Sequence, residues 1–513
     1  MPFLGLVQIP SRVTLPQRRI LLALYLGFAV VVRSPDAWRP IDGSTWELWR
    51  EADVGAIARS FYREDMNILR PRIDWRGDGP GLVESEFPLY PWSVAALYRV
   101  FGYHEALARV VSLVVSVLAC WVFFLLAERL LPPLGWLAAI AVFAVNPLAV
   151  RLSTAVQPEP LMFLFYLAAA RWFLRWIDAG RRTDYALAAT FTALAILSKL
   201  PAANLGLFFA ALSLQRFGWR GIARWDLWLF AILALGPAAA WYSFAYGYWT
   251  TYGNSLGMSN EAYAPIASFG FMEALPRQIV NCARIEIRAV WTLPGALLAL
   301  AGIPSLRSWE GRVVLYWLLT LAVFYVVTIG TTGEDWASYY HIVSLPAACL
   351  AIGFGVVHLL SRVSRGRVGV AMAFAGVVLL SGVGLLEMRK TLAQIHPSYA
   401  KPIYECARRF APLVPEGAVI VASGGEDIDQ WGIRNAANAP YFFFWLDRKG
   451  FSLPDSQQHL EALEELRGRG ARYFVAEPSR LTRAAGFETE LRRTYRVAAE
   501  CDKAILFDLG AAP

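Results

Sequence analysis

Stretches of apolar residues recur along the first three quarters of the chain, and each has about the length that a membrane-crossing helix needs. A span takes about 20 apolar residues, and fewer where it is tilted or sheltered by neighbouring helices. On this criterion the pattern predicts about eleven transmembrane helices. Their centres lie near residues 25, 118, 141, 168, 191, 207, 236, 296, 321, 350 and 377. The chain is therefore predicted to be a polytopic α-helical membrane protein.

Arginines alternate along this pattern. Arg12, Arg18 and Arg19 precede the first span, and further arginines occupy every second connection. Because cytoplasmic loops are enriched in Lys and Arg, this alternation predicts a cytoplasmic N-terminus. The first span lacks a small-residue cleavage site, so we expect a retained anchor rather than a signal peptide. The remaining loops are then extracytoplasmic, and the long ones are among them: 34–104, 147–159, 248–287 and 331–341.

An odd number of spans also places the C-terminal part of the chain on the outer side, where the patterning becomes globular. The segments 418–422 and 473–476 have the composition of short strands, and 460–466 has helical apolar spacing. We therefore predict a transmembrane catalytic domain at 1–387 and an extracytoplasmic α/β domain at 388–513.

Composition agrees with a membrane protein and limits the alternatives. Of the 513 residues, 57% are hydrophobic and 17% are charged, a balance that is rare in soluble proteins. The net charge of +8 comes largely from arginines in short loops, so we expect no nucleic-acid partner. The five cysteines show no metal-binding spacing. At most Cys406 and Cys501 are expected to pair.

The first outer loop, 34–104, is long for a connection, which favours a functional role. Apolar residues at 53–62 have helical spacing with polar residues opposite, and they predict an amphipathic helix on the membrane surface. Glu51 and Asp53 stand at its start. A carboxylate near lipid has a raised pKa and suits a general base.

A simpler interpretation of these two acids is helix capping, since negative charge at a helix start complements the dipole. Against it stand the flanking residues Trp49 and Arg50, because a mixed aromatic and acidic face is typical of sugar binding. Glu86, later in the same loop, is interpreted as structural or facing the acceptor.

Three more ionisable residues lie at the outer ends of predicted spans. Glu159 directly precedes a span, Arg109 begins the second one, and Lys199 lies in the turn between the fifth and sixth. Such residues are costly at membrane depth and are functional candidates by default. The alternatives are a Glu that starts a helix after proline and basic residues that snorkel to the interface. A lipid phosphate would pair the two cations.

Tyr339, Tyr340 and His341 start the tenth predicted span from the outside. Tyr340 and His341 are predicted to contact a donor phosphate, and Tyr339 a substrate. A lone histidine is more often structural, and that alternative stays open.

The ordered set of parts resembles the GT-C glycosyltransferases, in the family that includes protein O-mannosyltransferases and the aminoarabinose transferase that modifies lipid A. The residues that carry the resemblance, nearly over the whole chain, are Arg50 to Asp53, Ile57 to Arg59, Phe87 to Pro91, Arg109, Glu159, Lys199, Tyr339 to His341 and Leu446 to Gly450.

The resemblance implies a GT-C fold and inverting transfer of a sugar from a polyprenyl-phosphate donor to an acceptor hydroxyl on the outer face of the inner (plasma) membrane. The acceptor would be a glycan, a lipid or a protein. Glu51 or Asp53 would be the base, and Arg109 and Lys199 would hold the leaving phosphate. The family's two acids are usually adjacent, whereas here Ala52 intervenes, so both remain candidates.

Glu159 is predicted as a further catalytic acid, and no cofactor is expected because the two cations can neutralise the phosphate. A divalent metal bridging Glu51, Asp53 and Glu159 is an alternative, since oligosaccharyltransferases of this fold class use one. The rival function is a transporter or flippase of a lipid-linked substrate, although transporters usually have internal repeats and interrupted helices at the midplane. Further alternatives are transfer of a whole oligosaccharide or polymer and a sensor or scaffold.

Overall fold

The computed structural model describes residues 14–45, 48–256, 269–362, 400–427, 438–481 and 486–512, and four single positions at 375, 376, 382 and 386. It divides into two compact units, one made of 1–38, 109–239 and 275–394 and the other of 39–108, 240–274 and 395–513. The predicted boundary between 387 and 388 lies outside the described residues and stays a prediction.

Helices dominate the described residues. They are α1 (Leu15–Arg33), α2 (Leu48–Arg63), α3 (Leu89–Phe101), α4 (Ala106–Leu130), α5 (Pro133–Val145), α6 (Pro147–Leu152), α7 (Glu159–Ala179), α8 (Arg182–Ser198), α9 (Asn204–Phe217), α10 (Trp225–Tyr252), α11 (Phe269–Ile285), α12 (Leu293–Ala301), α13 (Trp309–Val327), α14 (Ile329–Thr332), α15 (Leu345–Arg362), α16 (Ala400–Phe410), α17 (Pro440–Leu446), α18 (Leu460–Gly468), α19 (Pro478–Leu481) and α20 (Phe487–Thr494). The strands are β1 (Val419–Ser423), β2 (Lys449–Leu453), β3 (Ala471–Ala476), β4 (Arg496–Cys501) and β5 (Ala504–Asp508).

Six helical segments in the described part of the chain are long and apolar enough to cross a membrane: Leu15–Arg33, Ala106–Leu130, Glu159–Ala179, Trp225–Tyr252, Trp309–Val327 and Asp335–Arg362. The spans predicted near 141, 191, 207 and 296 coincide with the shorter helices α5, α8, α9 and α12. The span predicted near 377 lies outside the described residues apart from four single positions. The count of eleven therefore stays a prediction. Helix α11 occupies much of the predicted outer loop at 248–287, which is thus not a simple connection.

The hairpin of α7 and α8 brings two predicted site residues to the same end. Helix α7 begins at Glu159, with Pro160 in its first turn, and ends at Ala179. The next residue, Gly180, has a φ of +65° and gives the left-handed turn that reverses the chain. Helix α8 runs back and ends at Ser198, where Lys199 is extended and Pro201 prevents continuation. Because the helices are antiparallel neighbours, the start of α7 and the end of α8 meet.

The C-terminal part of the chain forms a five-stranded sheet in the order β2-β1-β3-β5-β4. Strand β1 pairs in parallel with β2 and β3, and β5 is antiparallel to β3 and β4. Cys406 of α16 and Cys501 of β4 form a disulfide across 95 residues of chain, which confirms the predicted pairing. The predicted strands and helix of this α/β domain are present as β1, β3 and α18.

Candidate active site

Helix α2 carries the first two predicted acids and is largely buried. All residues from Arg50 to Phe61 are buried, so this part of the helix presents no exposed face. It lies close to α17 because Gly55 has no side chain: a Cβ there would come within 2.9 Å of the ring of Phe444. The helix that the sequence predicted is thus longer than 53–62, and protein covers its polar face as well as its apolar one.

Asp53 is fully buried and has one fixed partner. The indole Nε1–H of Trp75 donates a hydrogen bond to Oδ1 at 2.7 Å, whereas Oδ2 accepts none from the described residues. Burial raises the pKa of Asp53 to about 7, while the Trp75 hydrogen bond and the charge of Arg50 lower it. A carboxyl group that titrates near neutral pH, with one oxygen held and the other not, has the properties of a general base.

Glu51 lies two residues away in different surroundings. It is completely buried, and its Oε2 accepts a hydrogen bond of 2.8 Å from the hydroxyl of Thr45. The neighbouring Arg50 is buried as an ion pair with Glu86, so the guanidinium and the carboxylate neutralise each other. The indole nitrogen of the partly buried Trp49 makes no hydrogen bond to the residues that the structure describes.

The other unit contains a second charged cluster. Lys199 and Glu159 form an ion pair, with 2.7 Å between Nζ and Oε1, and their side chains are 4% and 0% exposed. The ammonium group also lies 5.4 Å and 5.3 Å from the ring centres of Tyr339 and Tyr340. An aromatic face attracts a cation, so the two rings and the carboxylate together stabilise a charged lysine at this buried position.

Gln157 belongs to the segment that leads into α7, and Arg109 of α4 contacts this segment. The Arg109 side chain is 1% exposed and donates from Nη1 to the carbonyl oxygen of Thr154 at 3.0 Å. Gln157 is fully buried, yet neither its amide oxygen nor its amide nitrogen has a hydrogen-bond partner among the described residues. An unsatisfied buried polar group costs about 1–3 kcal/mol, which makes Gln157 a candidate ligand-binding residue. Sequence reasoning passed over it, and its only signal was a polar residue among prolines at the start of a span.

His341 is fully buried, with both ring nitrogens engaged by protein groups. Nε2 lies 2.9 Å from the carbonyl oxygen of Thr332 and must donate, because a carbonyl only accepts. Nδ1 lies 2.7 Å from Oε1 of Glu286, a residue at the start of the π-helical segment Glu286–Trp291. Tyr325 donates a further hydrogen bond to that carboxylate. The phosphate-binding role of His341 stays a prediction, and these contacts favour the structural alternative.

The predicted residues thus fall into two groups, one in each compact unit. Arg50, Asp53 and Glu86 share one unit with Glu51 and Trp49, and the Lys199 cluster lies in the other. Their assigned roles stay predictions. Among the described residues no group of three His, Cys, Asp or Glu side chains is arranged to hold a metal ion, and metal dependence also stays a matter for experiment. The sequence pattern gave no signal for Trp75, whose hydrogen bond to Asp53 depends on tertiary structure.

Solved structures define the class of fold. ArnT from Cupriavidus metallidurans bound to undecaprenyl phosphate has a TM-score of 0.61 at 13% identity, covering 96% of this chain and 98% of that one. The oligosaccharyltransferase of Archaeoglobus fulgidus, in complex with Zn and sulfate, has a TM-score of 0.57 at 12% identity over 89% and 68% of the two chains. The arabinofuranosyltransferase AftD from Mycobacteria has a TM-score of 0.55 at 15% identity, covering 96% of this chain and 40% of that one. The chain is therefore a multi-pass membrane protein with the GT-C fold.

A protein-family model matches part of the chain. Residues 81–244 match the family model described as dolichyl-phosphate-mannose-protein mannosyltransferase. No curated protein sequence matches the chain. The predicted resemblance to GT-C glycosyltransferases of the ArnT and protein O-mannosyltransferase type is confirmed, and these matches support a transferase.

Proposed function

We propose that the protein is an inverting glycosyltransferase that moves a sugar from a polyprenyl-phosphate donor to an acceptor hydroxyl on the extracytoplasmic face of the plasma membrane. The observation that carries this proposal is Asp53, a buried carboxyl group whose pKa is raised to about 7. A base of this pKa is half ionised at neutral pH and accepts a proton effectively there. Support for the donor class comes from the ArnT structure, which holds undecaprenyl phosphate.

In the proposed reaction the acceptor oxygen attacks the anomeric carbon of the sugar as the bond from that carbon to the phosphate oxygen breaks. The acceptor proton passes to Oδ2 of Asp53, and polyprenyl phosphate departs from the opposite face of the sugar. One displacement inverts the anomeric configuration. Lys199 and Arg109 are assigned to the departing phosphate, because its charge grows as the bond breaks and a prepositioned cation stabilises it. Glu159 is assigned to the orientation of Lys199.

The site needs little covalent chemistry beyond this. A lipid phosphate is a good leaving group, so the protein contributes mainly by orienting donor and acceptor, removing one proton and neutralising charge. We propose that transfer proceeds without a divalent metal, so that added EDTA leaves the rate unchanged. An EDTA-sensitive rate that Mg²⁺ or Mn²⁺ restores would contradict this part of the proposal.

The test is transfer in vitro from a panel of defined polyprenyl-phosphate sugars to an extract of cell-envelope acceptors, with the purified protein in lipid nanodiscs. Asp53→Asn removes the base, and we expect the rate to fall by about 10² to 10⁴-fold. Glu51→Gln should retain much more activity. Asp502→Asn changes an exposed acid of the C-terminal domain and serves as the matched control.

Two outcomes contradict the proposal in different ways. Full activity in both Asp53→Asn and Glu51→Gln shows that neither acid is the base. If the wild type consumes no donor lipid but moves it between leaflets of a vesicle, the rival flippase function is correct.

A further inference from the structure

A polar cavity of about 370 Å³ lies within the unit that contains Asp53 and the C-terminal sheet. Its volume falls in the range of small-molecule sites, about 300–1,000 Å³. One wall is the loop 75–77, and another is formed by β2 and α18. The mechanism proposed above makes no use of this cavity.

The loop wall is fixed to the edge of the sheet. Strand β2 is an edge strand, and its open side is completed by backbone hydrogen bonds from Gly77 N–H to the Gly450 carbonyl at 2.6 Å and from Gly450 N–H to the Asp74 carbonyl at 3.1 Å. Gly77 has a φ of +59°, and a Cβ there would come within 2.6 Å of the Phe451 ring. Only glycine allows this close approach, so the cavity wall is preformed.

The two arginines of the cavity are neutralised by partners in the same unit. Arg76 is paired with Glu64 at 2.8 Å, and Arg469 with Asp78 at 2.8 Å. Because both cations already have counter-charges, the cavity has no uncompensated positive charge with which to select an anion. This argues against a phosphate or carboxylate ligand.

The remaining polar lining is made of groups that suit hydroxyls. The amides of Asn254, Asn438 and Gln457 border the cavity, and the exposed carboxylate of Glu465 adds an acceptor. The hydroxyl of Ser452 is buried without a hydrogen-bond partner in the described part of the chain. Amides donate and accept side by side, as sugar hydroxyls do. The partly buried ring of Trp75 also lines the cavity, and an indole ring offers a flat apolar surface for a sugar ring.

We propose that this cavity binds a neutral sugar unit of the acceptor and that Trp75 connects it to the base. Trp75 lines the cavity, and its indole nitrogen is 2.7 Å from Oδ1 of Asp53. A sugar seated in the cavity therefore lies one side chain away from the group that removes the acceptor proton. The assignment of this sugar to the acceptor rests on the proposed function, whereas the binding of a neutral sugar does not.

The first experiment measures binding without any reaction. The full-length protein in phosphatidylcholine nanodiscs, free of sugar-headed detergents, is titrated with the methyl glycosides of glucose, mannose, galactose and N-acetylglucosamine by saturation-transfer NMR. Ala462→Phe fills the cavity without removing a polar group, since Ala462 is part of its lining. Thr489→Phe adds the same ring at an exposed position of α20 and is the control.

We expect at least one glycoside to bind the wild type and Thr489→Phe equally and Ala462→Phe at least tenfold more weakly. If no glycoside binds the wild type, or if Ala462→Phe binds as the wild type does, the proposal is wrong. Stronger binding of methyl glucuronide than of methyl glucoside overturns the neutral assignment.

The second experiment uses the transfer assay. Ala462→Phe should raise the KM for the acceptor at least tenfold while the KM for the donor lipid stays unchanged, and Thr489→Phe should alter neither. An unchanged acceptor KM contradicts the acceptor role. If the wild type catalyses no transfer, the proposed function fails, and the binding experiment alone decides what the cavity holds.

Discussion

The hydrogen bond from Trp75 to Asp53 gives the most direct test of the proposed base. Trp75→Phe keeps an aromatic ring in place but removes the N–H that donates to Oδ1 at 2.7 Å. That bond stabilises the ionised carboxylate and lowers its pKa against the larger effect of burial, which raises it. Without the N–H, the pKa of Asp53 must rise further above about 7.

The size of the pKa change follows from the negative charge of the Asp53 carboxylate, which accepts the hydrogen bond. A hydrogen bond to a charged group contributes about 1.5–3 kcal/mol, and about 1.36 kcal/mol corresponds to a tenfold change in ionisation. The acidic limb of the pH–rate profile should therefore move upward by about one to two pH units. At pH 7 the ionised fraction falls from about one half to about a tenth or a hundredth, so the rate falls by about fivefold to fiftyfold.

The assay is initial-rate transfer at saturating donor between pH 5.5 and 9.5. The wild-type rate should rise through a midpoint near 7, and Trp75→Phe should recover its rate at high pH, because a more basic carboxylate is at least as good a base. Trp92→Phe is the matched control. The Trp92 indole donates to the Met66 carbonyl in the same unit, and this hydrogen bond involves no acidic side chain. A loss of rate that is equal at every pH would mean that Trp75 acts through packing and would refute the reasoning.

Three further predictions follow from charges and cross-links. The pKa of Asp53 is higher in the folded protein, about 7, than its ordinary 3.8, so the stability of the fold falls as the pH rises from about 4 through 7. Asp53→Asn removes this loss and should raise Tm at pH 8.5, with a gain in the free energy of unfolding of about 1–4 kcal/mol that shrinks progressively towards pH 4. Lys199→Met leaves the buried carboxylate of Glu159 without its cation and should destabilise the protein by about 3–5 kcal/mol. Because it also removes a cation assigned to the donor phosphate, it should raise the donor KM. Adding Glu159→Gln should restore Tm but not the donor KM, and a donor KM restored along with Tm would show that the lysine is only structural. Replacing Cys406 and Cys501 by serine opens a closed loop of 95 residues and should lower the stability of the C-terminal domain by about 2–5 kcal/mol. The Tm of the double variant should no longer respond to dithiothreitol. A Tm equal to that of the wild type would contradict a stabilising disulfide.

The helical pattern was predictable because a span requires a continuous apolar run, which is visible in any single chain. The α7–α8 hairpin illustrates how far this extends. Pro158, Gly180 and Pro201 mark its ends and its turn, and an antiparallel hairpin brings the residues at its two open ends together. The proximity of Glu159 and Lys199 therefore follows from local signals. The ion pair itself did not follow, since the sequence suggested a lipid phosphate as the partner of the lysine.

Other features depend on contacts between distant segments. The burial of α2 on every side comes partly from α17, almost 400 residues later in the chain, and an amphipathic pattern alone suggests a helix at a membrane surface. His341 was predicted to bind a phosphate because it starts a span, but its ring meets Glu286, 55 residues away. A side chain that is satisfied by a distant partner gives no sign of that partner in its own neighbourhood.

The spacing of Glu51 and Asp53 gives the two acids different surroundings. Side chains two residues apart on an α-helix project in directions that differ by about 200° around the helix axis. These two acids therefore face different surroundings although they are almost adjacent in sequence. Glu51 points to the hydroxyl of Thr45, and Asp53 points to Trp75, which lines the polar cavity. We therefore expect the buried Ala52 between them to separate two roles rather than to interrupt one paired site. We expect Glu51→Gln to change the local hydrogen bonding while the pH–rate midpoint stays near 7, and a midpoint that moves as far as it does in Trp75→Phe would assign the proton to both acids together.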